Sequence, residues 1–237
     1  EAGVKVNGEL VLNYRERLEH LTQLNEKEMS AAVQRPARTD HPLIVFLQGH
    51  GEHSPTAVSN QDCNRWSEQL EKTGFAVKTL NFGKDAKIPE KTATLVIASP
   101  QTKLLPAETT AITEYLHQGG NLLWLLDPPG DLQGLEPLAK QMGLTLQPGT
   151  IIDPASKIFG ATEPTVVAIT TEGYTNNHPV TSGLEEYLTF FPQTVGLKIT
   201  PPEDWEATPL MKTYPQSWSE TGKIEGAVEY NEGNDMI

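Results

Sequence analysis

The feature that most constrains the fold is a rhythm that begins at Leu43. Short, continuous apolar runs alternate with stretches of helical period, and glycine or proline closes each pair. Leu43–Leu47 (LIVFL) is apolar throughout, the pattern of a strand covered on both faces. A polar, glycine-rich loop follows, Gln48-Gly49-His50-Gly51-Glu52-His53. Cys63, Trp66 and Leu70 then share one helical face, and Gly74 closes that helix. Phe75–Leu80 reads as a second strand and Leu95–Ala98 as a third, ended by Ser99-Pro100. Pro106 suits the first turn of the next helix, whose inner face is Ile112, Tyr115 and Leu116 and whose end is Gly119-Gly120. Leu122–Leu126 is the fourth strand, ended by Asp127-Pro128-Pro129. Leu132, Leu135, Leu138 and Met142 mark a further helix, with Gly143 at its end.

This β-α-β-α order predicts an α/β fold with an open, doubly wound, mostly parallel sheet and helices on both faces. A closed barrel needs about eight such units, and the sequence supplies four or five. After about residue 153 the rhythm weakens. Leu144–Leu146, Ile151-Ile152, Val166–Ile169, Leu188–Phe191 and Leu210–Thr213 are expected there as short strands between frequent Pro and Gly.

Ahead of the rhythm stands a lead-in of another kind. Val4 and Val6 run into Asn7-Gly8, and Leu10, Leu12 and Tyr14 alternate with polar residues. Asn-Gly between alternating runs is a strong hairpin signal, because both turn positions need positive φ. Asn25-x-x-Glu28 resembles a capping box. Met29, Ala32 and Val33 then give a short helix one apolar face, which Pro36 is expected to end. Arg35–Pro42 reads as a linker. The expected organisation is a hairpin-and-helix lead-in over 1–40 and an α/β domain over 41–237.

Charge excludes several function classes. Lys plus Arg number 18 and Asp plus Glu 31, a net charge of −13. Such a surface repels phosphate backbones and anionic headgroups, which sets nucleic acid aside. Cys63 is the one cysteine, so no intrachain disulfide and no multi-cysteine zinc site can form. On an apolar helical stripe it reads as a core residue rather than a nucleophile. No run approaches the roughly 18 apolar residues of a membrane span. The chain opens on Glu1 without a signal peptide, as expected of a processed product or an excised fragment.

In open α/β sheets ligands bind beyond the carboxyl ends of the strands, where strand order reverses. Three loops are expected to meet there: Gln48–His53, Ser99–Thr102 and Asp127–Asp131. Gly49 and Gly51 let the backbone around His50 bend sharply and approach a partner. His50, Glu52 and His53 could serve as proton carriers or metal ligands. Equally, Gly-His-Gly-Glu can be a structural turn in which the histidine hydrogen-bonds a neighbouring loop. Metal binding through His50 and His53 has no firm geometry at that spacing outside a helix. Gly49-x-Gly51 lacks the third glycine of a dinucleotide fingerprint, and no Walker-type lysine follows. Neither a cofactor nor a metal is therefore expected. Ser99 stands at a strand end, but Pro100 lacks the N–H that a nucleophile elbow uses for its oxyanion hole. Asp127 is placed for function, although Asp-Pro-Pro is also an ordinary turn start. Trp205 and Trp218 could line a groove or cover a sheet edge.

The segments Ile44–Glu52 (IVFLQGHGE), Leu95–Pro100 (LVIASP), Tyr115–Pro128 (YLHQGGNLLWLLDP) and Pro209–Glu220 (PLMKTYPQSWSE) follow one another in an order and spacing that resembles the GldG-like auxiliary component of gliding-motility-type ABC transport systems. Gly8–Val33 fits the same pattern. The resemblance implies a bacterial membrane protein whose large soluble region lies outside the cytoplasm, a periplasmic domain anchored by terminal membrane helices. It implies a permease and an ATPase as partners, and no established enzymatic activity. The chain is also similar to the class I glutamine-amidotransferase-like fold, within the broader flavodoxin-like architecture. Asn177–Leu184 (NHPVTSGL) resembles a loop in such proteins. Their enzymes carry a cysteine just after the third strand, where this chain has Ser99-Pro100.

The resulting expectation is a non-catalytic extracytoplasmic domain of an ABC transport accessory protein. It would bind a partner subunit or a transported ligand through His50, Gly51, Glu52, His53, Ser99 and Asp127. The alternative is a hydrolase or carbohydrate-active enzyme using Glu52 and Asp127 as an acid/base pair, which would need its carboxyl groups roughly 5 to 9.5 Å apart.

Overall fold

The computed structural model describes residues 8–14, 17–23, 25–37, 41–85, 87–127, 131–184, 186–224 and 228–232. The chain divides into two compact units, Glu1–Leu125 and Leu126–Ile237.

The first unit opens with a hairpin of β1 (Leu10–Tyr14) and β2 (Arg17–Leu21), paired antiparallel from Leu10 opposite Leu21 to Tyr14 opposite Arg17. Strand β1 thus pairs forward in the chain. Val4, Val6 and Asn7, on which the expected hairpin rested, lie outside the described residues. Helix α1 (Glu26–Ala37) starts as its sequence predicts, with Asn25 Oδ1 accepting the Glu28 N–H at 2.8 Å. It runs through Pro36 to Ala37 rather than stopping at the proline. The proline has no N–H to donate back along the helix, and the helix ends one residue after it.

The parallel sheet follows. Its elements are β3 (Leu43–Leu47), α2 (Asn64–Lys72), β4 (Ala76–Leu80), β5 (Thr92–Ala98), α3 (Pro106–His117) and β6 (Leu122–Leu125). The strands are all parallel, in the order β4-β3-β5-β6. Chain direction across the sheet therefore reverses between β3 and β5, which makes the carboxyl ends of those two strands the place where a crevice opens. The continuous apolar runs are explained by burial on both faces. Ile44, Phe46, Val96 and Ala98 form one face, covered by Trp66 and Leu70 of α2, with the Phe46 and Trp66 rings edge to face at 5.3 Å. Val45, Leu47, Leu95 and Ile97, at alternate positions, are at most 1% exposed. Each such side chain contributes roughly 1.5–3 kcal/mol of burial. Strand ends and helices thus hold the two loops after β3 and β5 on a rigid base.

The second unit contains α4 (Glu136–Gln141), β7 (Leu144–Leu146), β8 (Thr150–Ile152), β9 (Val166–Ile169), β10 (Thr189–Pro192), β11 (Leu197–Ile199) and β12 (Trp218–Glu220). They pair as antiparallel ribbons, β7 with β11, β8 with β12 and β9 with β10. The parallel character expected of the whole domain thus belongs to the first unit. A parallel crossover takes about a dozen residues, usually a helix, and among the described residues the weak rhythm after residue 153 supplies no α-helix. Leu210–Thr213 forms no strand; Met211 makes a lone bridge with Tyr174. Val167, Ile169 and Tyr174 centre the core of this unit, with Ile151 and Phe191 packed against them. Asp153 and Glu220 are buried among these elements. Among the described residues no helix is long and apolar enough to cross a membrane.

Candidate functional site

The loop after β3 begins where Gln48 N–H still donates to Leu80 C=O of β4 (2.8 Å). It then turns through Gly49 and Gly51 at φ +128° and +81°, conformations that an L side chain resists. Both glycines are also wanted for space. A Cβ on Gly51 would meet Gln101 Cβ at 3.0 Å, and one on Gly49 would meet the Asn81 amide at 3.2 Å. The bend lets His50 C=O accept the N–H groups of Gln101 and Thr102, at 2.7 and 3.0 Å. His53 N–H donates to Ala98 C=O at 2.9 Å. The loops after β3 and β5 are therefore joined by main-chain hydrogen bonds into one rim.

The side chain of His50 is held from both sides. Its Nε2 lies 3.0 Å from Glu108 Oε2 and its Nδ1 3.3 Å from Glu52 Oε1. Glu52 is fully shielded at the side chain, while His50 and Glu108 retain 12% and 11% exposure. Glu52 Oε2 also accepts the His50 main-chain N–H at 2.8 Å. Glu108 Oε2 also accepts the Leu105 N–H at 2.7 Å, closing the first turn of α3. One imidazole thus bridges the β3 loop to the start of α3. Both of its nitrogens face carboxylates.

Ser99 is 4% exposed and sits at φ +53°, an uncommon conformation for a residue with a Cβ. Its N–H donates to Leu125 C=O at 3.0 Å, and the Gln101 amide donates to its C=O at 2.9 Å. Pro100 follows with no N–H to offer an oxyanion. What this rim presents to solvent is the edge of His50 together with Gly49, Gly51, Gln101 and Thr102. That surface is made of main chain and polar side chains.

Of the residues singled out from sequence, His50, Gly51, Glu52, His53 and Ser99 belong to this rim. Asp127 is exposed and falls in the second unit; Pro128, Pro129 and Gly130 after it lie outside the described residues. Glu52 Oε2 accepts the His50 main-chain N–H, while its Oε1 is buried 3.3 Å from His50 Nδ1 without a hydrogen bond. Among the described residues no group of three or more His, Cys, Asp and Glu side chains is placed to hold a metal ion. The residue missed from sequence is Glu108, which reads as a helix-start carboxylate after Pro106. Its Leu-Pro-Ala-Glu setting gives no sign of a second partner 58 residues upstream in the chain.

Two comparisons bear on this arrangement. Residues 41–236 match the family described as "ABC-type uncharacterized transport system", the auxiliary component of such systems. Among solved structures, the chain is similar to one titled "mmIFT52 N-terminal domain", with a TM-score of 0.56 and 16% identity over 77% of this chain and 81% of that one. At that identity the likeness concerns the fold alone. A comparison with curated proteins found no match.

Proposed function

The chain belongs to the auxiliary family of ABC-type transport systems, and from that premise we propose that it is a non-catalytic, extracytoplasmic domain which docks a partner subunit of the transporter on the rim formed by the loops after β3 and β5. The observation that supports this reading is the double clamp on His50. Each ring nitrogen lies beside a carboxylate, Nε2 at 3.0 Å and Nδ1 at 3.3 Å, and the loop main chain is tied to Gln101 and Thr102. Such a site is preorganised and loses little conformational freedom on binding, while it leaves no side chain activated for chemistry. The permease and its ATPase are the partners of this reading, the GldG-like subtype its closest setting, and the periplasmic face of the membrane its location.

Association with the cognate permease tests the proposal. Wild-type protein, the His50→Ala/Glu52→Ala double variant and the exposed-lip variant Gln101→Ala/Thr102→Ala are used in pull-downs from detergent-solubilised membranes. Circular dichroism verifies that each is folded. Both variants are expected to recover markedly less permease. Unchanged recovery with both would show that the partner does not bind at this rim.

A further inference from the structure

We propose that the outer edge of β4 is a second docking surface, on which an extended, basic segment of a partner protein adds as a further strand of the parallel sheet. Strand β4 ends the strand order and pairs only with β3 among the described residues. The hydrogen bonds give its orientation. Ala76 N–H donates to Pro42 C=O and Leu80 C=O accepts from Gln48 N–H, so Ala76 and Leu80 turn their main-chain groups toward β3. Residues two apart point the same way and their neighbours the opposite way. The N–H and C=O groups of Val77 and Thr79 therefore face outward from the sheet.

These two residues also line a groove of about 550 Å³. Pro55 and Val58, and Glu68 and Glu71 of α2, line it as well. Val58 is 90% exposed, an apolar side chain at the mouth with no cover. Val77 packs against the cluster of Ile44 and Phe46, so Val77 and Thr79 lie on the α2 face of the sheet, and Lys78 between them also lines the groove. Main-chain pairing at an edge, with pockets for alternate side chains, is the β-augmentation mode of recognition.

Charge selects the occupant. The charged side chains that line the groove are Glu68 and Glu71, one helical turn apart, against the single Lys78, on a chain of net charge −13. A strand carrying Lys or Arg at alternate positions would place those side chains against the two glutamates and be steered there by the field of the whole molecule. A second copy of the chain would bring the same excess of negative charge to the edge. This surface consists of residues other than those of the rim, so the two can fail separately.

The test uses the full chain and two short, fluorescently labelled peptides, one of alternating Lys and Val and one of alternating Glu and Val, measured by polarisation at low salt. The Lys/Val peptide is expected to bind and the Glu/Val peptide not to bind. The exposed double variant Glu68→Lys/Glu71→Lys is expected to weaken the Lys/Val peptide by roughly five- to tenfold, the scale of two exposed ion pairs reversed. Thr79→Pro removes one outward N–H, which an edge strand tolerates, and is expected to weaken it similarly, with Thr79→Ala near wild type. If Thr79→Pro does not fold, the glutamate variant decides. Binding of the Lys/Val peptide that is absent, unchanged by the variants or equalled by the Glu/Val peptide would overturn the proposal. So would sedimentation showing a dimer that Thr79→Pro dissociates, because the edge would then be filled by a second copy.

Discussion

Glu52 ties the loop after β3 to itself through the His50 main-chain N–H. Its carboxylate has no exposure and is shared between the main-chain N–H and the ring of the same residue, His50. Glu52→Gln keeps an acceptor of the same shape for that N–H and loses the charge beside the ring, and should cost about 1 kcal/mol in urea unfolding. Glu52→Ala strands the buried N–H, leaves His50 facing Glu108 alone and opens a void, and should cost about 3 kcal/mol. A Glu52→Ala loss below about 0.5 kcal/mol, the level of an ordinary surface substitution, would mean that the carboxylate does not hold the loop. Ser99 is the other strained point of the rim. Its positive φ turns the chain off β5 so that Gln101 and Thr102 reach His50 C=O. A serine at that angle stores strain that a glycine would not.

Helix α3 carries a titrating group at its far end. The Tyr115 hydroxyl donates to Asn121 C=O at 3.1 Å and accepts the Asn121 N–H at 3.2 Å, tying the helix end to the start of β6. Partial burial raises its phenol above the ordinary value of 10. The folded chain therefore holds this proton more tightly than the unfolded chain does. Its contribution to stability is complete below pH 10 and is lost as pH rises from there through the folded value. Tyr115→Phe should abolish the latest-ionising tyrosine in an absorbance titration and flatten the alkaline decline of stability. If the titration curve of the variant keeps a tyrosine ionising above the ordinary range, the shifted phenol lies elsewhere. At this scale the sequence was most readable. Runs such as Leu43–Leu47 and Leu95–Ala98 declare themselves because burial on both faces leaves no polar position. Pro106 and Gly119 mark α3 because local backbone sterics require them there. Strands β11 and β12 went unseen. Leu197–Ile199 is three residues long with every position exposed, and Trp218–Glu220 is buried with two polar side chains of three. Neither shows a period, because partners distant in sequence satisfy them. Glu108 was hidden for the same reason: a helix-start carboxylate looks the same whether or not a distant histidine uses it.

At the scale of the whole molecule, two units with separate cores imply two thresholds of unfolding. The first is built around Val45, Phe46, Leu95 and Ile97 and the second around Val167, Ile169 and Tyr174. The second unit depends on one buried carboxylate. Asp153 is fully buried; it accepts the N–H groups of Ala155 and Ala168, each at 3.1 Å, and the Ser217 hydroxyl at 3.4 Å. It thereby joins the turn after β8 to β9 and to the segment that leads into β12. Asp153→Ala leaves two buried N–H donors without an acceptor, at about 1–3 kcal/mol each. The loss should fall where the bonds are. Hydrogen exchange followed by mass spectrometry reads the opening free energy of each segment, and about 3 kcal/mol corresponds to roughly a hundredfold faster exchange. In Asp153→Ala the amides of Val166–Ile169 should exchange about that much faster while those of Leu95–Ala98 keep their wild-type rates. A chain with one cooperative core would instead speed up both by the same factor, as two-state behaviour demands. Equal acceleration would mean that the two units unfold as a single body, and that a partner held on the rim of the first would stabilise the second as well.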